Sequence, residues 1–148
     1  MNRLILCAGE TRRDGWTTVD ASSDHFPDFL ATIPPLPIDV ICKQWDEVEL
    51  VHGITSFYPW EAKTLLREIR EVLAPGGKLV LEQPDFGKCD RLEWIFGDPK
   101  PQNPLHMVHW AYTPNSLEAL VRDSGFEHCR QMEAQYHMPS RDFRIEAW

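Results

Sequence analysis

The stretch from Pro59 to Leu81 constrains the fold of this chain more than any other. Ala62, Leu65, Leu66, Ile69, Val72 and Leu73 recur at the spacing of one helix face. Pro59 suits the first turn of such a helix, and Glu61 lies near the positive end of its dipole. Pro75-Gly76-Gly77 terminates the helix, and Lys78-Leu79-Val80-Leu81 follows at once as an apolar strand ending at Glu82-Gln83-Pro84-Asp85. A helix with one apolar face, delivered by a glycine turn into a buried strand, is half of an α/β unit and needs a sheet to lie on.

The rest of the chain supplies that sheet. Leu4 to Cys7 is a short apolar run halted at Ala8-Gly9, as in strands buried on both faces. Trp16 to Val19 is β-branched and aromatic and ends at Asp20, and Glu47 to His52 reads as a further strand ending at Gly53. Residues 21–37 are rich in Ser, Asp and Pro around a brief apolar patch, Phe29-Leu30-Ala31; Pro34, Pro35 and Pro37 exclude a regular helix or central strand there. Asp39 to Cys42 fits a short strand or the start of a connection equally well. Thr113 as cap, Pro114 as first residue and Leu117, Leu120 and Val121 on one face predict a second helix stopped at Gly125. Weak alternation through Phe126 to Met132 and through Phe143, Ile145 and Ala147 predicts two closing strands. The irregular segment Lys88–Trp110, centred on Gly97-Asp98-Pro99-Lys100-Pro101, has the character of a lid.

The expected architecture is therefore one domain, residues 1–148: a Rossmann-like three-layer α/β sandwich with a mostly parallel sheet, an antiparallel last strand and a reduced first helix. The 148 residues suffice for one core. A net charge of −8 argues against an extended nucleic-acid partner, since Arg12-Arg13 is the lone basic pair of note. No apolar run approaches the ~20 residues that span a bilayer. Cys7, Cys42, Cys89 and Cys129 show neither a CxxC pair nor zinc-ligand spacing, which points to reduced thiols and a cytoplasmic protein.

Several blocks, in order along most of the chain, resemble small class I S-adenosylmethionine-dependent methyltransferases. Leu4-Ile5-Leu6-Cys7-Ala8-Gly9 with Gly15-Trp16-Thr17-Thr18-Val19-Asp20 resembles their LNLGCG…GWINVD; Asp46 to His52 resembles DEIYSSH; and Leu66 to Leu79 is close to LREIRRVLKPGGRL. Pro84-Asp85, and Tyr112-Thr113-Pro114 through Ser124-Gly125-Phe126, match the later part of the pattern. The resemblance implies S-adenosylmethionine as cofactor and methyl transfer to a small-molecule or saccharide-like acceptor. Small residues at Cys7, Ala8 and Gly9 would let the backbone approach the cofactor, and Asp20 would accept hydrogen bonds from its ribose hydroxyls. By the same resemblance Ala21, Thr32, Ile33, Val51, His52 and Gly53 would complete the cofactor site. With no phosphate to bind, no Lys or Arg clamp is required. Catalytic candidates are His52, Asp85, His106 and His109, with Trp110 and Tyr112 as walls for an acceptor.

Two departures from the pattern define the competing expectation. One glycine of GCG is replaced, giving Cys7-Ala8-Gly9, and HVLEH becomes His52-Gly53-Ile54-Thr55-Ser56. The short span from Gly9 to Asp20 also leaves room for no more than a single helical turn. A catalytically silent domain that binds a ligand or a protein partner fits these changes. No metal is expected, because nothing makes the histidines converge, and the exposed closing strands offer a surface for homodimer pairing.

Overall fold

A computed structural model describes residues 1–99 and 102–148. Lys100 and Pro101, at the centre of the expected lid, lie outside the described residues. The strands are β1 (Arg3–Leu6), β2 (Trp16–Asp20), β3 (Phe29–Leu30), β4 (Trp45–Val51), β5 (Leu73–Pro84), β6 (Cys129–Glu133) and β7 (Asp142–Ala147). They form one sheet in the order β3-β2-β1-β4-β5-β7-β6. The first five are parallel, and β7 runs antiparallel to both β5 and β6. The helices are α1 (Ile38–Ile41), α2 (Pro59–Val72), α3 (Leu92–Phe96) and α4 (Pro114–Asp123). The expected mostly parallel sheet with an antiparallel last strand is present. Residues 39–41, left open between strand and connection, belong to the short helix α1.

Strand alternation sorts the sheet into two unlike faces. Leu4, Leu6, Val19, Val48, Leu50, Leu79, Leu81, Phe143 and Ile145 join one core cluster with Leu65, Leu66 and Ile69 of α2 and Leu117 and Val121 of α4. The intervening residues face the other way, and many are charged. Arg3, Glu47, Lys78 and Glu146 run across β1, β4, β5 and β7 as an alternating ladder, with Glu47–Lys78 at 3.2 Å and Lys78–Glu146 at 3.3 Å. Toward the strand tips the same face carries Glu49, Glu82 and Arg144, all buried. On this side the outer layer consists of loops. Residues 7–15 link β1 to β2 with no helix at all, and residues 134–141 fold back from β6.

The Pro-Gly-Gly turn works differently from a simple helix stop. The strand begins at Leu73, directly after α2, and passes through the turn: Leu73 pairs with Trp45, and regular pairing resumes at Lys78 opposite Glu47. A Cβ on Gly77 would sit 2.7 Å from the Trp45 carbonyl oxygen and 2.9 Å from that of Ala74, and Gly76 has φ of +79°. The two glycines therefore form an irregularity inside β5 that lets its backbone cross close to β4.

Candidate functional site

In an open parallel sheet a ligand crevice forms beyond the carboxyl ends of the strands, where the strand order reverses. Here that point lies between β1 and β4, and five chain segments converge on it. From β1 come Cys7, Ala8 and Gly9; from β2, Asp20; from β4, His52; from β5, Asp85; from the start of β7, Arg141 and Asp142.

Asp20 is buried at the tip of β2 and organises the first half of the site. Its Oδ2 accepts the Gly9 amide at 2.8 Å, and its Oδ1 accepts the Ser22 amide at 2.9 Å and contacts His25 Nδ1 at 3.0 Å. Burial alone would raise the Asp20 pKa. The two amides and His25 outweigh it, so the carboxyl lies below its usual range. Cys7, held at φ +53°, has its thiol pushed up to about 12 by burial and by the Asp20 charge, so it is no nucleophile. Ala8 is buried and donates its amide to the Val19 carbonyl. Ala21 and Thr32 are exposed, whereas Ile33 is buried in the core beside Leu36.

His52, also in the left-handed region at φ +57°, organises the second half. Its Nε2 lies 2.7 Å from Oδ2 of Asp142, whose side chain is fully buried, and its ring stacks on His137 with centroids 4.1 Å apart. Arg141 grips the same carboxylate with Nε and Nη2, the latter 2.8 Å from Oδ2. Against the opposing effect of burial, His52 and Arg141 pull the Asp142 carboxyl down to about 2. A permanently ionised aspartate bonded to Nε2 fixes the imidazole tautomer with its proton on that nitrogen. Nδ1 is left as the basic atom. His52, His137 and Asp142 hold ligand-type atoms within 4.8 Å of one another, but the Arg141 fork already engages both oxygens of Asp142.

His52 also lines a cavity of about 180 Å³, bounded by Thr55, Pro84, Phe86, Cys89, Glu93, Trp94, Ile95, Gly97, Val108, Ala111 and Arg141. The expected lid segment thus does wall a cavity, with α3 as one side. The other catalytic candidates sit differently. Asp85 caps the turn at residues 86–88 by accepting the Gly87 amide at 3.0 Å. His109 is tied to the rim: its amide donates to the Thr55 carbonyl, its Nδ1 lies 2.5 Å from the Ser56 carbonyl, and it stacks on Tyr58. His106 is exposed in the turn at residues 104–106, and Tyr112 is buried. Val51 and Gly53 flank His52, as their sequence positions require. Sequence reasoning missed Arg141, Asp142 and His137; no local motif marks them, because they reach His52 only through the antiparallel return of β7.

No protein-family model matches this sequence, and no curated protein matches it. Solved structures do match. The glycopeptide N-methyltransferase MtfA superposes with a TM-score of 0.68 at 17% identity, over 99% of this chain and 80% of that one. An S-adenosylmethionine-dependent methyltransferase from Clostridium acetobutylicum gives 0.70 at 10% identity, over 99% and 82%. The CMeT domain structure of a citrinin polyketide synthase gives 0.68 at 12% identity, over 99% and 46%, so this chain spans less than half of it. The fold is thus the Rossmann-like fold of the S-adenosylmethionine-dependent methyltransferases. Among the described residues no helix is long and apolar enough to cross a membrane.

Proposed function

We propose that this protein transfers a methyl group from S-adenosylmethionine to a small acceptor, with His52 as the general base. The observation that carries this reading is the meeting, at the β1/β4 switch point, of an ionised acid on the β2 tip with a His–Asp pair whose His52 lines a cavity. MtfA, of the same fold, was crystallised with S-adenosylmethionine and with sinefungin.

The residues at the β1 and β2 tips fit the cofactor on two counts. Among the described residues nothing lies within 4 Å of where a Cβ on Gly9 would point, so there is room against that backbone. Asp20 Oδ2 accepts one internal hydrogen bond and keeps capacity for a ribose hydroxyl, while Oδ1 becomes available to a second hydroxyl once His25 moves aside. Cys7, Ala8, Gly9, Ala21 and Thr32 on the first side, with Val51 and Gly53 on the other, would border the bound molecule; Ile33 supports it from the core. When bound, the cofactor supplies an electrophilic methyl carbon on a sulfonium whose C–S bond electrons stay on sulfur. The chain's own task is to seat the acceptor in the 180 Å³ cavity and exclude water, and His52 Nδ1 takes up the proton the acceptor loses. Asp142 holds the imidazole in the required tautomer and stabilises the imidazolium that results.

The test is calorimetric titration with S-adenosylhomocysteine of the native protein and of Asp20→Ala. Micromolar binding is expected, weakened in the variant by roughly 1.5–3 kcal/mol, as befits hydrogen bonds to a charged acceptor. Absence of binding at millimolar ligand would overturn the reading. One observation favours a second one, a silent binding module: Asp20 already has three internal partners. In that case Asp20→Ala would destabilise the fold and no ligand of this class would bind.

A further inference from the structure

Resting on the methyl-transfer reading, we infer that the acceptor is a single-ring carboxylic acid, its carboxylate taken by Arg141 and its nucleophile presented to His52. Size is the first argument. A cavity of about 180 Å³ is slightly larger than the roughly 150 Å³ that accommodates benzene, so it is matched to one six-membered ring with small substituents. Its walls are the second. Pro84, Phe86, Trp94, Ile95 and Val108 make the sides apolar and partly aromatic, which suits a planar ring better than a polyol.

The polar groups are the third argument. Arg141 lines the cavity with only 12% of its side chain exposed, and its guanidinium carbon lies 5.1 Å from the Trp94 ring centroid. Asp142 occupies Nε and Nη2, and among the described residues Nη1 donates to no protein acceptor. A guanidinium so enclosed favours an oxygen anion on its remaining edge, where a carboxylate gains a charge-assisted hydrogen bond. The acid among the lining residues is Glu93, which is exposed. It disfavours a second negative group toward the mouth, which limits the acceptor to one carboxylate. Arg141 and His52 share Asp142, so a ring bearing a carboxylate and a hydroxyl or amine can touch both. Cation, ring slot and base together specify the acceptor class.

The experiment compares 4-hydroxybenzoate with 4-hydroxybenzamide, which differ in charge but hardly in shape, by calorimetric titration of the native protein without cofactor. The acid should bind about tenfold or more tightly than the amide, and Arg141→Gln should abolish the difference. Arg141→Lys, which keeps the charge but not the fork, should retain part of it, and amide binding retained by the glutamine variant shows that its loss of discrimination is not loss of folding. Equal binding of acid and amide, or no binding of either at millimolar concentration, overturns the assignment. Parallel titration with S-adenosylhomocysteine separates the two levels. If the homocysteine binds and the acid does not, the acceptor class is wrong and methyl transfer stands. If the acid binds and the homocysteine does not, the anion site stands and methyl transfer falls.

Discussion

Asp142 joins the fold to the proposed chemistry. Its carboxyl is held at about 2 against an ordinary 3.8, and a depressed acid stabilises the fold above its unfolded pKa and loses that contribution as pH falls. The shift corresponds to about 2 kcal/mol at neutral pH, fading as the pH drops from about 5 toward 2. Asp142→Asn should therefore lower urea-denaturation stability by about 2 kcal/mol or somewhat more at pH 7, since Arg141 loses its partner. Near pH 2 the deficit should shrink to a fraction of that; equal deficits at both pH values would show that Asp142 acts through shape and not charge. At this scale the site was half legible. Asp20 and His52 stand out because each ends an apolar run, where an α/β sheet exposes its strand tips. Asp142 sits 90 residues from His52, and nothing local announces it. Only the pairing of Pro84 with Asp142 along β5 and β7 brings it there.

The elements were more legible than the contacts between them. Helix α2 follows from its apolar stripe and α4 from its Thr113 cap, which accepts the Ser116 amide, and both have the expected starts. The loop at residues 134–141 shows why the remainder was hidden. Glu82 reads as the polar end of a strand, yet it is fully buried and accepts the amides of Gln135, Tyr136 and His137 at 2.8, 2.8 and 3.0 Å. One carboxylate thus pins the loop that lays His137 on the His52 ring. Glu82→Gln preserves the shape but keeps only one good acceptor oxygen for three donors. We expect a loss of about 2–3 kcal/mol, with the amides of residues 135–137 exchanging with solvent much faster than those of β7. Uniform acceleration across β5 and β7 would instead mean that Glu82 supports the sheet and not the loop. The Pro-Gly-Gly irregularity gives a second test at this scale. Gly77→Ala would drive a methyl group into two carbonyl oxygens at under 3 Å, so the thermal midpoint should fall by several degrees or the chain should fail to accumulate folded.

For the whole molecule, the decisive fact is that the long helices lie on one face of the sheet. Where loops and not helices cover β1, β4, β5 and β7, Ile5 and Val80 are still buried, and beyond them the chain places a ladder of alternating charges. Lys78 is its middle rung, flanked by Glu47 and Glu146. Despite the opposing pull of burial, these neighbours raise the lysine pKa; Glu146 is lowered by Arg144 and Lys78. A raised lysine stabilises below its unfolded pKa and a lowered glutamate above its own, so the ladder should be at full strength between about pH 5 and 10. The Lys78 side chain is 36% exposed, and pairs so open to solvent contribute little singly, from a few tenths to about 1 kcal/mol. Lys78→Met, however, removes the cation between two acids and leaves both carboxylates facing each other across three strands. Its cost should reach about 1–2 kcal/mol at pH 7 in low salt, diminish in 0.5 M salt as screening shortens to about 4 Å, and fade as the pH falls well below the ordinary glutamate range, because Arg144 holds the Glu146 carboxyl down. Urea titrations under those three conditions measure it. A cost that ignores salt and pH would mean that the lysine stem, and not its charge, shields the open face.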